Sequence, residues 1–122
     1  MGRYLSEFES MVESILREYD GVVNPSVLRN VDVLNKYLLL AYESIRYLEE
    51  LVEKHADPYS LVSTALEYYA FIDSKFVDAV SAELEGVENK YLYRLVLFRI
   101  NDAHRNIFKK LLVEAIAKKT ME

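Results

Sequence analysis

From Val27 onward apolar residues recur at alternating steps of four and three: Val27, Val31, Leu34, Leu38, Ala41, Ile45, Leu48 and Val52, with His55 continuing the rhythm. A repeat of 3.5 residues belongs to helices that lie almost parallel along their length, so this stretch commits the chain to packing long helices side by side. Strand-like alternation of useful length is absent from the sequence, as are internal repeats and low-complexity segments.

The chain has three glycines and two prolines, and apart from Gly2 each stands where an apolar helical pattern stops or starts. The first helix is expected from Arg3 to Tyr19, on Leu5, Phe8, Val12, Ile15 and Tyr19, with Gly21 as its left-handed terminator. The second opens with Asn24 as N-cap and Pro25 at the first helical position and runs to His55. Asp57-Pro58 repeats that pairing, so a third helix follows at once, antiparallel to the second, on Val62, Ala65, Tyr69, Ile72, Phe76 and Val80. Gly86 closes it. Glu88 or Asn89 caps the fourth helix, and Leu92, Val96, Ile100, Ala103, Ile107 and Leu111 carry that helix to Lys118, with a frayed tail. With 122 residues and 14.2 kDa, the expectation is one domain over residues 1–122: an all-α, antiparallel, up-and-down four-helix bundle with a short first helix and three long ones.

That lopsidedness suggests a surface. Counted outward from the first turn, helix one lies beside residues 25–41 of helix two and stops near Tyr42, leaving three helices to cover the seam beyond. Ile45, Leu48, Val52, Leu61, Phe108 and Leu112 are the contact residues expected there, available to a second copy or to another protein. Three segments, Tyr37–Tyr42, Tyr68–Ile72 and Tyr91–Phe98, are apolar almost all round, and ten tyrosines suit contact surfaces because the ring is apolar and the hydroxyl tolerates water.

Composition narrows the chemistry. Without cysteine there is no disulfide, thiolate metal site or thiol nucleophile, and two histidines are too few for a multi-histidine metal centre in one chain. No Glu-x-x-His pair, phosphate loop or nucleophile elbow occurs, and Glu49, Glu50 and Glu53 read as a solvated helix end, so neither a metal nor a cofactor is expected. Arg3, Glu7, Glu9 and Glu13 interrupt any leader-like stretch and no apolar run is long enough to span a bilayer, which points to the cytoplasm and away from membranes. The absence of Gln, Trp and Cys beside many charged residues follows the trend of thermophilic, here archaeal, proteins.

Charge is asymmetric. Residues 88–122 hold eight Lys or Arg against four Asp or Glu, while residues 1–87 hold seven against sixteen. Lys90, Arg94, Arg105 and Lys109, with Asn101 among them, form a basic stripe on the last helix that suits phosphate or an acidic surface. A net charge of −5 argues for the acidic neighbour and against nucleic acid as main ligand.

His104 falls between Ile100 and Ile107 on the buried side of the fourth helix, where a histidine is expected to bond a core oxygen; Tyr42, Tyr69 and Asp73 lie nearest in level. Arg99-Ile100-Asn101-Asp102-Ala103-His104 also has the R-x4-H spacing that resembles the short motif of HEPN-domain ribonucleases, an all-helical, commonly dimeric family. The resemblance covers six residues and the fold class. It implies that Arg99 and His104 line a cleft where RNA is cut without a metal. This chain has Ile100 where the family usually has a polar residue, and Arg105 follows His104 without the frequent nearby Tyr. Five residues of ideal helix turn through about 500°, which separates the two side chains by roughly 140°. Between the two readings, a non-enzymatic interaction or assembly protein and a metal-independent ribonuclease, the discriminating feature is whether Arg99 and His104 converge in an open cleft.

Overall fold

Of the 122 residues the structure, a computed structural model, describes 2–19, 32–54, 56–82 and 90–121, with side chains for all of these but 90 and 119–121. The described elements are α1 (Arg3–Glu18), α2 (Asp32–Glu53), α3 (Pro58–Ser81) and α4 (Lys90–Met121). The expected Asn24-Pro25 start, the Gly21 and Gly86 terminators, the Glu88 or Asn89 cap and the His55 end of the seam lie outside the described residues.

Neighbouring helices run antiparallel. Phe8 meets Tyr42 and Tyr4 meets Glu49 between α1 and α2; Tyr37 meets Phe76 and Tyr47 meets Tyr68 between α2 and α3; Phe76 meets Phe98 and Tyr69 meets Phe108 between α3 and α4. Glu7 with Lys110, and Glu18 with Arg99, close the ring between α1 and α4, while α2 and α4 run parallel across the diagonal. This is the expected up-and-down bundle. Its core is a column of aliphatic and aromatic side chains that includes Phe8, Leu34, Ile45, Leu48, Ile72, Ile100, Ile107 and Phe108, each 1% exposed or less.

The start of α3 follows local chemistry as read: Asp57 Oδ1 accepts from Ser60 N at 3.0 Å and Oδ2 accepts from the Ser60 hydroxyl at 2.7 Å, with Pro58 in the first turn. Its end does not. The helix stops at Ser81, where Ala82 turns extended, five residues short of Gly86, and Arg94 Nε donates to the Val80 carbonyl at 3.2 Å. A helix end leaves carbonyls without internal partners, and here a side chain from the next helix takes one up. At the other end of α4 the helix continues through residues 119–121, past the end expected at Lys118.

The register of α1 also differs from expectation. Its first turn reaches Glu49 rather than stopping at Tyr42, a displacement of about two turns or 10 Å. The cause is a tertiary cap. Gly2 precedes the helix in left-handed backbone (φ 72) and supplies no side chain, and the first turn has no acidic residue. Glu49 Oε1, on a side chain only 8% exposed, accepts from Tyr4 N at 2.6 Å and Leu5 N at 2.9 Å instead. A carboxylate there satisfies two of the four free N–H groups and faces the positive end of the helix dipole. Glu49 is therefore a buried structural carboxylate, not part of a solvated end. With α1 moved along, Ile45 and Leu48 are covered within one chain.

Candidate functional site

His104 occupies the middle of the bundle at 1% exposure, its ring 4.4 Å from that of Phe108 and edge-on to Phe8 at 5.6 Å. Its Nε2 lies 2.9 Å from the Ser44 hydroxyl, and that hydroxyl donates to the Ala41 carbonyl at 2.8 Å. A hydroxyl has one hydrogen. Since Ser44 gives it to Ala41, His104 is the donor of the other bond, which sets the neutral tautomer with the proton on Nε2. This polarity is opposite to that of a histidine activating a serine nucleophile, where the nitrogen accepts. Burial pushes the imidazole down to about 4, so the ring is uncharged near neutral pH.

The partner is not one of the oxygens expected from sequence. Asp73 is engaged by Arg105, whose Nη2 lies 3.2 Å from both carboxylate oxygens while the guanidinium covers the Tyr69 ring at 5.4 Å. Ser44 was legible in one respect: it sits three residues after Ala41 and four before Leu48, a small polar residue on the seam of α2.

Arg99 leaves α4 on another side. It pairs with Glu18 and lies over the Tyr19 ring at 5.8 Å, at the last turn of α1. The shallow groove beside it, lined by Met11, Ser14, Ile15, Asp102, Ala103 and Asn106, does not include His104. The two residues of the R-x4-H stretch thus do not meet in an open cleft. One is sealed in the core and the other is bound to a carboxylate, so the geometry implied by the ribonuclease resemblance is not formed.

The basic stripe is likewise redistributed. Asn101 turns inward, 3% exposed, and its Nδ2 donates to the buried Tyr37 hydroxyl at 2.9 Å; burial raises that phenol to about 12. Arg94 and Arg105 are tied to α3, Lys109 stands exposed, and the side chain of Lys90 lies outside the described residues. Two of the four cations thus serve the acidic or carbonyl groups of a neighbouring helix.

Of the six expected contact residues, Ile45, Leu48, Leu61 and Phe108 are at most 3% exposed within one chain, and Val52 and Leu112 are half-buried. They form core, not a free face. The shift of α1 accounts for Ile45 and Leu48, and the tight pairing of α3 with α4 accounts for Leu61 and Phe108.

Exposed large apolar side chains are instead concentrated on α3 and α4, with Leu39 and Tyr47 also exposed on α2. Leu66 and Val77 on α3 are 63% and 58% exposed; Leu95, Phe98 and Val113 on α4 are 46%, 51% and 65%. Leu66, Asp73 and Val77 follow at steps of seven and four and share a face, and Asp73 reaches across to Arg105, so that face adjoins α4. Phe98 marks the same border from the other side, its ring against Phe76 at 5.1 Å. The signal was present in Tyr91–Phe98, which is apolar almost all round: one side builds the core through Tyr93, Val96 and Leu97, and another faces solvent.

A cleft at the far end of the bundle, lined by Tyr4, Glu49, Val52, Leu111, Glu114 and Lys118 among others, holds the first turn of α1, but Glu49 already occupies that helix terminus. No helix among the described residues is long and apolar enough to cross a membrane. Compared with protein-family models, curated proteins and solved structures, the chain finds no match.

Proposed function

We propose that this protein is a helical interaction module that acts by contact rather than catalysis, through the outer face of α3 and α4. The observation that carries this reading is the alignment of Leu66, Val77, Leu95, Phe98 and Val113, all large, apolar and roughly half exposed or more, on two adjoining helices. Contiguous apolar surface of this kind on a folded chain is where partners bind. The fate of the chemically capable groups supports it: His104 is spent on Ser44, Arg99 on Glu18, Arg105 on Asp73 and Glu49 on the first turn of α1. An intracellular, thermophilic setting belongs to the same reading, resting on a composition free of Cys, Gln and Trp.

A photo-crosslinking residue placed at Val77 tests this in the native host, with the same residue at Glu43, an exposed site on α2, as control. The expected result is an adduct heavier than 14.2 kDa from position 77 and none from position 43. Equal labelling from both positions, or none from either, overturns the reading.

A further inference from the structure

Resting on that reading, we infer that the partner of this face is a second copy of the chain, with α4 packed antiparallel on α4 of the other protomer about a twofold axis beside the Arg105–Asn106 bond. The solvent side of α4 is symmetric about that bond in both spacing and chemistry. Asp102 stands three residues before Arg105 and Lys109 three after Asn106; Phe98 and Val113 stand seven away, Leu95 and Ile116 ten. Successive steps along each half are three, four and three, so these side chains fall on one stripe of the helix. Leu95, Phe98, Asp102, Asn106, Lys109 and Val113 are exposed, and Ile116 is half-buried at the edge.

In an antiparallel pair about this axis each Asp102 faces a Lys109, twice over by symmetry, and Phe98 packs on Val113 with Leu95 on Ile116 beyond. A twofold contact requires a patch that complements itself, and opposite charges placed evenly about the axis provide it. The charges also select the register. Parallel pairing sets Asp102 against Asp102 and Lys109 against Lys109, and sliding the antiparallel pair by one heptad in either direction brings one of those like pairs together. Like charges held face to face disfavour such arrangements. Asp102 and Lys109 have no ion-pair partner among the described residues, whereas Arg105 between them is held by Asp73. Val77 and Leu66 on α3 lie alongside the stripe and extend the apolar contact.

The chain has no native cysteine, so single introduced thiols report the geometry directly. Under mild oxidation Asn106→Cys is expected to give a disulfide-linked dimer by itself, because it sits beside the axis. Phe98→Cys and Val113→Cys are each expected to remain largely uncrosslinked alone and to crosslink when mixed, since bridged Cα atoms must approach within about 7 Å. In sedimentation at about 50 µM the wild type runs at twice 14.2 kDa. Asp102→Lys weakens the dimer by about tenfold or more, and Asp102→Lys with Lys109→Asp restores it, with helical circular dichroism unchanged throughout. A wild-type monomer under these conditions overturns the inference, as does Phe98→Cys crosslinking to itself as readily as to Val113→Cys, or failure of the charge exchange to restore association. If the Val77 crosslinker captures a different protein while the purified chain stays monomeric, the interaction reading survives and this inference alone falls.

Discussion

A neutral histidine in an apolar bundle ties stability to pH with a definite sign. The folded state holds His104 near 4 whereas the unfolded chain titrates near 6.5, so between those values the unfolded state takes up a proton that the folded state refuses. The stabilising contribution is complete above about pH 6.5 and is lost as pH falls towards 4, by at most about 3 kcal/mol. Urea unfolding at pH 7 and pH 4 checks this against His104→Gln, whose amide can still donate to Ser44 without titrating. The wild type is expected to lose about 2–3 kcal/mol more than the variant, and equal losses would show that His104 is not the group responsible. Sequence placed this residue correctly on a buried stripe but named the wrong partner. Counting across the bundle reached the right level of α2, at Tyr42, two residues from Ser44, but the small hydroxyl on the seam was passed over for larger side chains carrying oxygen. The same blindness turned Asn101 outward: its distance of seven residues from Phe108 marked it as a core position, but its amide gave it the look of a surface residue.

At the level of elements, helix existence and direction followed from the 3.5-residue rhythm and the Asp57-Pro58 junction, because both are local. The axial position of α1 is not local. Gly2 cannot cap it, and the carboxylate that does lies more than forty residues away, on a helix end that looked solvated from its run of glutamates. Glu49→Ala is therefore expected to cost about 1–2 kcal/mol, the range for losing a helix cap, with faster hydrogen exchange confined to the Tyr4 and Leu5 amides and their turn. Glu49→Gln keeps an accepting oxygen and loses only the charge facing the helix dipole, so its cost is about 0.3–1 kcal/mol. If Glu49→Ala matches an exposed neighbour such as Glu50→Ala, α1 does not depend on this contact. The expected binding seam failed for the same reason: one misplaced helix of 16 residues uncovers, on paper, a stretch of core that the folded chain covers.

Across the whole molecule two kinds of force join the helices, and their magnitudes decide which one holds the bundle. The basic α4 is paired to acidic neighbours by Lys110 with Glu7 at 2.9 Å, Arg105 with Asp73 at 3.2 Å and Arg99 with Glu18, and Arg3 of α1 pairs in the opposite sense with Glu114 of α4 at 3.5 Å. These side chains are between 33% and 69% exposed, so each pair adds at most about 1 kcal/mol and salt screens it. Ile72, 1% exposed among Ile45, Ile100 and their neighbours, represents the other force: truncating it to alanine removes buried methyl groups and leaves a cavity, at about 2–5 kcal/mol. Leu66, six residues earlier on the same helix and 63% exposed, has no such cavity to leave, and Leu66→Ala is expected to change monomer stability by about 0.5 kcal/mol or less. Denaturant unfolding of dilute protein should therefore rank Ile72→Ala well below wild type and Leu66→Ala beside it, while raising NaCl to about 0.5 M shifts the wild type by less than about 1 kcal/mol. A salt effect as large as the Ile72→Ala loss would mean that charge pairing, not the apolar column, sets the stability of the bundle.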